Sequence, residues 1–218
     1  MTGTGGTGPK SPRERYRAQV RAEIKQHAWE QIATAGASAL SLNAIAKRMG
    51  VSGPALYRYY AGRDELITEL VTDAYRSLAD TLRPAAEQGA DLAALAHTVR
   101  AWALADPQRY FLVYGTPVPG FRAPAGTTAV SDEIMAMLLD ACAALPAAEP
   151  AAPFAAHLAE RWERAGGHPA PPAALHRALS FWTRVHGVLS LELAGHFTGM
   201  GFDPAQLFAA ELADLLSR

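Results

Sequence analysis

The fold of this chain is decided by residues 41–67, which read SLNAIAKRMGVSGPALYRYYAGRDELI. Apolar residues recur at helical spacing in the first half of this stretch, and Gly50 then supplies the permissive backbone of a tight turn. A second short helix is expected from Ser52, because serine is a favourable N-cap and Pro54 is tolerated in a first helical turn. The pattern therefore predicts a helix-turn-helix, an arrangement typical of DNA-binding proteins.

The second helix of this motif is rich in long side chains with polar tips. Leu56 is expected to face the core, and the polar-tipped residues of this helix and its end are Tyr57, Arg58, Tyr59, Tyr60 and Arg63. An α-helix fits the major groove, arginine forms bidentate contacts with guanine, and tyrosine hydroxyls bind phosphates. The alternative is a helical hairpin whose tyrosines pack internally.

Charge is unevenly distributed along the 218 residues. The whole chain carries a net charge of −1, but residues 1–63 carry +7 and residues 64–218 carry −8. A basic first third joined to an acidic remainder favours contact of the first third with phosphates. The alternative is ordinary surface charge.

Residues 1–10 contain mostly glycine and threonine and are expected to form a disordered tail. Ser11 and Glu14 have the spacing of a capping box, which predicts a helix from there to Ala35, ended by Gly36. Three arginines repeat every fourth residue on this helix, at Arg13, Arg17 and Arg21. They either follow a phosphate backbone or form a solvated face.

The remainder of the chain is alanine-rich and helical in pattern, so the predicted fold class is all-α. Asp64 should cap a helix that runs to Leu82 and is ended by Pro84. Further helices are predicted over residues 91–105, 106–115, 129–145, 152–165, 173–199 and 204–217. These patterns divide the chain into a tail (1–10), a helix-turn-helix domain (11–63) and a helical domain (64–218).

The last two predicted helices carry more apolar residues than one side of a small bundle requires. Their candidate interface residues are Leu175, Leu179, Trp182, Leu189, Leu193 and Leu212. Pairing with the same two helices of a second copy would form a four-helix bundle and a homodimer. The alternative is that these residues pack within one chain.

Several other classes of protein find no support in the sequence. Cys142 is the only cysteine, so no intrachain disulfide is possible and a reducing cytoplasm is expected. No apolar stretch approaches the roughly 20 residues that cross a bilayer. His176, His186 and His196 are too widely spaced along a helix to bind one metal ion, and no His-Glu-x-x-His, CxxC or Gly-x-Ser-x-Gly pattern occurs. We therefore expect no enzyme activity, no metal site, no cofactor and no membrane partner.

The segment from Leu56 to Leu66, LYRYYAGRDEL, resembles the TetR family of bacterial transcriptional repressors. The family string is Leu-Tyr-x-His-Phe-x-x-Lys-x-x-Leu, and this chain departs from it with Tyr59 in place of histidine and Arg63 in place of lysine. Both substitutes can reach a phosphate. The resemblance covers about residues 14–75 and implies a homodimer that represses transcription from a palindromic double-stranded DNA operator.

The resemblance also implies which side chains contact DNA. The corresponding positions here are Ser41, Asn43, Ser52, Gly53, Pro54, Ala55, Tyr57, Arg58, Tyr59 and Arg63. Since Gly53 and Ala55 have no long polar group, base reading is expected chiefly from Arg58, with help from Asn43. Tyr57, Tyr59 and Arg63 would set the register on phosphates.

Members of this family hold a small-molecule effector inside the C-terminal helical bundle. The aromatic candidates for such a pocket are Trp102, Tyr110, Phe111, Tyr114, Phe121 and Trp162. The alternative is an ordinary core, which aromatic residues at helical spacing form more often than they form a pocket. A further alternative is a helical adaptor or ligand-binding protein of the same fold that has lost specific DNA binding.

The segment FWTRVHGVLSLEL is similar to a branch of the family named for Trp, His and Gly, here Trp182, His186 and Gly187. Trp182 and His186 lie four residues apart and share a helix face, and Gly187 would allow another helix to approach. We favour a hydrogen-bonded core histidine at position 186 over a ligand contact.

Overall fold

The computed structural model describes residues 11–115, 125–146, 154, 157–158, 160–161 and 170–217. These residues contain no strand, as the all-α prediction required. The helices are α1 (Pro12–Ala35), α2 (Leu42–Arg48), α3 (Gly53–Tyr57), α4 (Arg63–Glu87), α5 (Leu92–Ala105), α6 (Pro107–Tyr114), α7 (Ala125–Ala143), α8 (Pro172–Leu193) and α9 (Pro204–Leu216), with a 3-10 helix at Ala37–Ala39. The predicted tail at 1–10 and most of the helix predicted at 152–165 lie outside the described residues.

The chain forms two compact units, residues 1–70 and residues 71–218. In the first unit, α1 contributes Ile24, Ala28 and Ile32 to the core, and α2 contributes Ile45. The spacing of four residues between the α1 positions places them on one helix face, which explains why a single stripe is buried.

The predicted start and end of α1 are confirmed. The Glu14 N–H donates to the Ser11 hydroxyl (3.2 Å), and the Ser11 N–H donates to the Glu14 carboxylate (2.7 Å), which completes the capping box. The helix ends at Ala35, and the Gly36 N–H closes its last turn onto the Ile32 carbonyl (2.9 Å).

Both predicted limits of α4 were wrong. The helix begins at Arg63, and it is the Glu65 carboxylate rather than Asp64 that accepts a backbone N–H before the first turn, from Ala61 at 2.5 Å. Pro84 lies inside the helix, which continues to Glu87. Proline removes only its own N–H, and its carbonyl still accepts from the Gln88 N–H at 3.3 Å, so the last turn forms beyond it.

The second unit is built from α5–α9 and the part of α4 beyond Leu70. Its core includes the largest buried side chains Tyr110, Phe181 and Phe208. α8 ends at Leu193 rather than at 199, because Gly195 adopts φ +78°, a left-handed conformation that stops a helix. α7 begins at Ala125, four residues before its predicted start.

Cys142 is a free thiol buried near the end of α7. Burial raises the pKa of the Cys142 thiol to about 11. The neighbouring Arg177 is also buried, and its guanidinium donates to the Cys142 carbonyl (3.3 Å) and the Pro146 carbonyl (2.5 Å). This arginine therefore ties the end of α7 and the residues that follow it to α8.

Candidate nucleic-acid interface and aromatic cluster

The helix-turn-helix is held to α1 through Ser41. The Ser41 N–H donates to the Gln31 side-chain oxygen at 2.9 Å, and the Ser41 hydroxyl caps α2 by accepting from the Ala44 N–H at 3.3 Å. Gly50 has φ +67°, so the chain turns between α2 and α3 where the sequence predicts it. The Ser41 contacts therefore fix the start of α2 against α1, and Gly50 makes the turn to α3.

Helices α2 and α3 approach closely at Gly53. A Cβ atom added at Gly53 would lie 3.4 Å from the Asn43 side-chain oxygen. Ser52 occupies the N-cap position of α3 as predicted, but its hydroxyl makes no side-chain capping hydrogen bond. That hydroxyl is therefore not needed to cap the helix.

The predicted DNA contacts fall into two groups by exposure. The exposed residues are Asn43, Ser52, Pro54, Tyr57 and Arg58, and the half-buried residues are Ser41, Gly53, Ala55, Tyr59 and Arg63. Tyr57 is 46% exposed, whereas Leu56 beside it is 1% exposed. The short helix thus buries one face and presents Tyr57 and Arg58 on the other.

The end of α3 is held by side chains from α1 and α4, here called the arginine clamp (Arg17, Arg21, Lys25 and Glu69). The Arg21 guanidinium donates to the Tyr59 carbonyl at 2.8 Å and also pairs with the Glu69 carboxylate. Arg17 donates to the Arg58 carbonyl at 3.5 Å. Lys25 reaches the other Glu69 oxygen at 3.1 Å. These bonds satisfy carbonyls that follow the last turn of α3.

The clamp changes the interpretation of the arginine repeat on α1. Arg21 bonds the Tyr59 carbonyl and the Glu69 carboxylate, so its guanidinium is engaged within the chain. Its guanidinium also stacks over the Tyr60 ring at 4.3 Å. Tyr60, which the sequence groups with the polar-tipped residues of α3 and its end, is 0% exposed and belongs to the core. The spacing of residues in the sequence did not indicate the pairing of Arg21 with Glu69, because Glu69 lies 48 residues after Arg21.

Arg63 is held by carbonyls of its own chain. Its guanidinium donates to the Ala37 carbonyl at 2.9 Å and the Ser38 carbonyl at 3.4 Å, and it lies 3.6 Å from the Asp64 carboxylate. It therefore stabilises the 3-10 helix. A phosphate contact by Arg63 stays a prediction, and it would have to share a guanidinium that already has three partners.

Four of the six predicted ligand residues are described, and Phe121 and Trp162 lie outside the described residues. Trp102 is 7% exposed, and its indole N–H donates to the Ser77 hydroxyl at 3.2 Å. Tyr110, Phe111 and Tyr114 all lie on α6, with Tyr110 fully buried and the other two half-buried.

Two of these residues belong to a larger group that we call the aromatic cluster (Tyr75, Tyr110, Tyr114, Trp182 and His186). The His186 ring centroid lies 4.2 Å from that of Tyr114 and 4.2 Å from that of Trp182. Tyr75 meets Tyr114 edge to face at 6.0 Å. The four-residue spacing of Trp182 and His186 indicated a shared face, but nothing local indicated that α4 and α6 supply its tyrosines.

His186 is a buried, hydrogen-bonded histidine, as favoured from the sequence. The Tyr110 hydroxyl lies 3.1 Å from His186 Nδ1 and donates to the His186 carbonyl at 3.3 Å. Burial lowers the pKa of His186 to about 4 and raises that of Tyr110 to about 12. Gly187 does not mark a close helix approach, because a Cβ added there would meet no atom of the described chain within 4 Å.

Two polar atoms of the cluster are buried without a partner in the described part of the chain. They are the Tyr114 hydroxyl oxygen and His186 Nε2. Burial raises the pKa of the Tyr114 hydroxyl strongly, so it keeps its proton. A buried polar atom without a hydrogen bond costs roughly 1–3 kcal/mol, so a neighbouring pair is unusual in a folded protein.

Two predicted interface leucines lie inside the single chain. Leu189 is 0% and Leu212 is 6% exposed, so neither offers surface to a second copy. Leu175, Leu179, Trp182 and Leu193 are half-buried. The exposed apolar residues at the C-terminal end of α8 and in the turn after it are instead Leu191, Met200 and Phe202. The apolar stripe on α8 packs against α5, α7 and α9 of the same chain. Only the residues at the edge of this stripe remain partly exposed.

Two kinds of feature are absent from the described residues. No helix there is long and apolar enough to cross a membrane. No three histidine, cysteine, aspartate or glutamate side chains come together there as a metal site would need.

This chain is similar to known proteins along most of its length. The family model "Bacterial regulatory proteins, tetR family" matches residues 24–70, and "Tetracyclin repressor-like, C-terminal domain" matches residues 92–215. HTH-type transcriptional regulators of Mycobacterium tuberculosis and Mycobacterium bovis are each 35% identical over 211 residues, covering 89% of this chain and 90% of the relative.

Solved structures agree with these matches. The crystal structure of SCO4313, described as a regulatory protein, has 70% identity and a TM-score of 0.86, covering 95% of this chain and 100% of that chain. A protein of unknown function from Rhodococcus sp. RHA1 has 20% identity and a TM-score of 0.66 over 98% of both chains, and it shares the fold.

Proposed function

Because the chain belongs to the TetR family and is a DNA-binding transcriptional regulator, we propose that it is a repressor released by a small apolar or aromatic compound. It would bind a palindromic operator as a homodimer, since one short recognition helix reads only half a site. The observation that supports this proposal is the exposed side of α3, where Arg58 is exposed and its carbonyl is held by Arg17 from α1.

Each predicted DNA contact has a role in this proposal. Arg58 reads a base edge in the major groove, and the exposed Asn43 assists it from α2. Tyr57, Tyr59 and Arg63 set the register on phosphates. Ser41, Ser52, Gly53, Pro54 and Ala55 lie where the backbone of α2 and α3 comes nearest to DNA.

The homodimer would form along the outer edge of α8 and the turn that follows it. Leu175, Leu179 and Leu193 retain exposed surface there, and Leu191, Met200 and Phe202 add exposed apolar area. Grouped exposed apolar side chains mark a protein interface more often than a free surface. Trp182 retains exposure too, but its ring packs on His186.

The effector would bind in the second unit, near the aromatic residues of α6. Tyr110, Phe111 and Tyr114 provide ring surface, and Trp102 closes the core beside them. Release from DNA requires only that the effector bind one of two arrangements more tightly than the other. We also assign the C-terminal unit to the Trp-His-Gly branch, on the residues Trp182, His186 and Gly187.

Operator titrations across a range of salt concentrations test this proposal, with DNA from upstream of the protein's own gene. Arg58→Ala should relax base discrimination by roughly 1–3 kcal/mol, whereas Arg63→Ala should weaken all DNA sequences alike. Arg58→Lys is the matched control, because it keeps the charge but loses bidentate pairing. Full discrimination by Arg58→Ala would refute the assignment.

The alternative is an adaptor of the same fold that has lost specific DNA binding. A specific DNA-binding protein shows both sequence discrimination and a steep loss of affinity with salt. Absence of a shifted complex at low salt would reject the repressor and favour the adaptor.

A further inference from the structure

We propose that the Tyr114 hydroxyl and His186 Nε2 form the polar subsite of the effector, which is an uncharged planar molecule carrying a hydroxyl or N–H group. This inference rests on the proposed ligand response and specifies its chemistry. The two tyrosine hydroxyls of α6 differ: that of Tyr110 is hydrogen-bonded to His186, and that of Tyr114 has no partner among the described residues.

The two polar atoms are buried, and the rings that carry them pack against each other. The rings of Tyr114 and His186 lie 4.2 Å apart between centroids. Neither the Tyr114 hydroxyl nor His186 Nε2 meets a hydrogen-bonding group of the described chain. Folding removes both atoms from bulk water, and a compound that bonds them would recover that cost.

The protonation of His186 decides which hydrogens the subsite offers. The Tyr110 hydroxyl has one proton, and the His186 carbonyl can only accept. Both Tyr110 contacts are hydrogen bonds when the hydroxyl donates to the carbonyl (3.3 Å) and accepts from Nδ1–H (3.1 Å). A neutral imidazole with its proton on Nδ1 leaves a lone pair on Nε2. Nε2 is therefore an acceptor, and it requires a donor on the compound.

A charged compound does not suit this subsite. The low pKa of His186, about 4, keeps its ring neutral near pH 7. The rings packed on it are those of Tyr110, Tyr114 and Trp182, which are also neutral. An anion would find no positive charge among these groups, and an ammonium cation has only donors, so it could not accept from the Tyr114 hydroxyl. A neutral hydroxyl suits both atoms, because it can donate to Nε2 and accept from Tyr114.

The exposure and ring geometry of the aromatic cluster favour a planar compound. Tyr75, Tyr114, Trp182 and His186 are each only half-buried, although the two polar atoms themselves are buried. Tyr114 meets Tyr75 and Trp182 edge to face, at interplanar angles of 77° and 79°. Aromatic groups prefer offset or edge-to-face partners, so a planar ring matches this surface.

Phenol and anisole, tested on the full-length protein without DNA, distinguish this subsite from a plain apolar one. The two probes are similar in shape, but only phenol can donate a hydrogen bond. Phenol should bind the wild type about five- to tenfold more tightly than anisole. In ¹⁵N-histidine NMR spectra, phenol should shift the unprotonated nitrogen of His186, and anisole should not.

Three variants provide the controls. His186→Asn keeps an amide near the Nδ1 position but removes Nε2, so it should abolish the phenol preference. Tyr114→Phe should reduce the preference and leave the unliganded protein equally stable or more stable. Tyr75→Phe deletes the same atom from a neighbouring ring and should keep the preference.

The outcomes separate this inference from the repressor proposal. Equal affinities for phenol and anisole, no binding of phenol, or a Tyr114→Phe protein that melts at a clearly lower temperature would each overturn the subsite. None of these results affects operator binding. Loss of a specific DNA complex, with the phenol preference intact, would instead reject the repressor and retain the subsite.

Discussion

The arginine clamp and the aromatic cluster differ in whether their polar groups have hydrogen-bond partners. In the clamp, the guanidinium of Arg21 bonds both the Tyr59 carbonyl and the Glu69 carboxylate. In the cluster, the Tyr114 hydroxyl and His186 Nε2 have no partner among the described residues. A fully paired network holds one conformation, whereas unpaired buried groups gain from a second molecule. The difference suggests that the clamp positions the recognition helix and that the cluster receives a ligand.

The largest effect is expected from breaking the clamp. Arg21→Ala removes the bond to the Tyr59 carbonyl and leaves Glu69 with Lys25 alone. We expect the free energy of unfolding to fall by about 2–3 kcal/mol, the usual worth of hydrogen bonds to a charged group. Chemical denaturation measures this change, and operator affinity should fall with it.

Arg21→Lys is the matched control for the clamp. Lysine keeps the charge beside Glu69 but lacks the fork that reaches two acceptors at once, so an intermediate loss is expected. If Arg21→Ala unfolded like the wild type, the clamp would be an incidental surface contact.

Acid should weaken the cluster before it weakens the clamp. Burial lowers the pKa of His186 to about 4, against 6.5 for an exposed histidine. Between these values the unfolded chain binds a proton that the folded chain does not, so stability falls as the pH falls from 6.5 toward 4. The loss at pH 5 should be about 2 kcal/mol.

The clamp should persist at that pH. Burial opposes ionisation of Glu69, but hydrogen bonds from Arg21 and Lys25 outweigh it and lower its pKa below 4.5.

A His186→Gln variant tests the contribution of the histidine to this pH dependence. It should lose less stability between pH 7 and pH 5 than the wild type, as measured by urea denaturation. Parallel losses in the two proteins would show that His186 titrates normally.

The smallest effect compares two tyrosines on α6. Tyr110→Phe leaves the His186 carbonyl and Nδ1 without their hydroxyl partner, so a loss of about 1–2 kcal/mol is expected. Tyr114→Phe removes a hydroxyl without a described partner, so no loss is expected. Melting temperatures of the two variants measure the contrast, and equal losses would remove the distinction between paired and unpaired hydroxyls.

Local rules explain why much of the first unit was predictable. The capping box at Ser11 and Glu14 and the left-handed turn at Gly50 depend on residues only a few positions apart. Leu56 was expected in the core as the large apolar residue of the short second helix, and it is buried.

The errors share a different cause, which is competition between distant partners. Pro84 resembles a helix end locally, but the packing of α4 carries the helix to Glu87. Leu189 and Leu212 form the expected apolar stripes, but both are covered within the chain. Periodicity shows that a face is apolar, and it cannot show whether the same chain or a second copy covers it.

The sequence by itself determined the all-helical class, the helix-turn-helix and the family, since these depend on short-range patterns. Only the tertiary structure decided that Arg21 holds the recognition helix, that Tyr60 is core, and that His186 meets two tyrosines from α6. Those contacts join residues 38 and 76 positions apart, as in Arg21 with Tyr59 and Tyr110 with His186. Hydrogen bonding and burial at such distances depend on how helices pack, which no local spacing encodes.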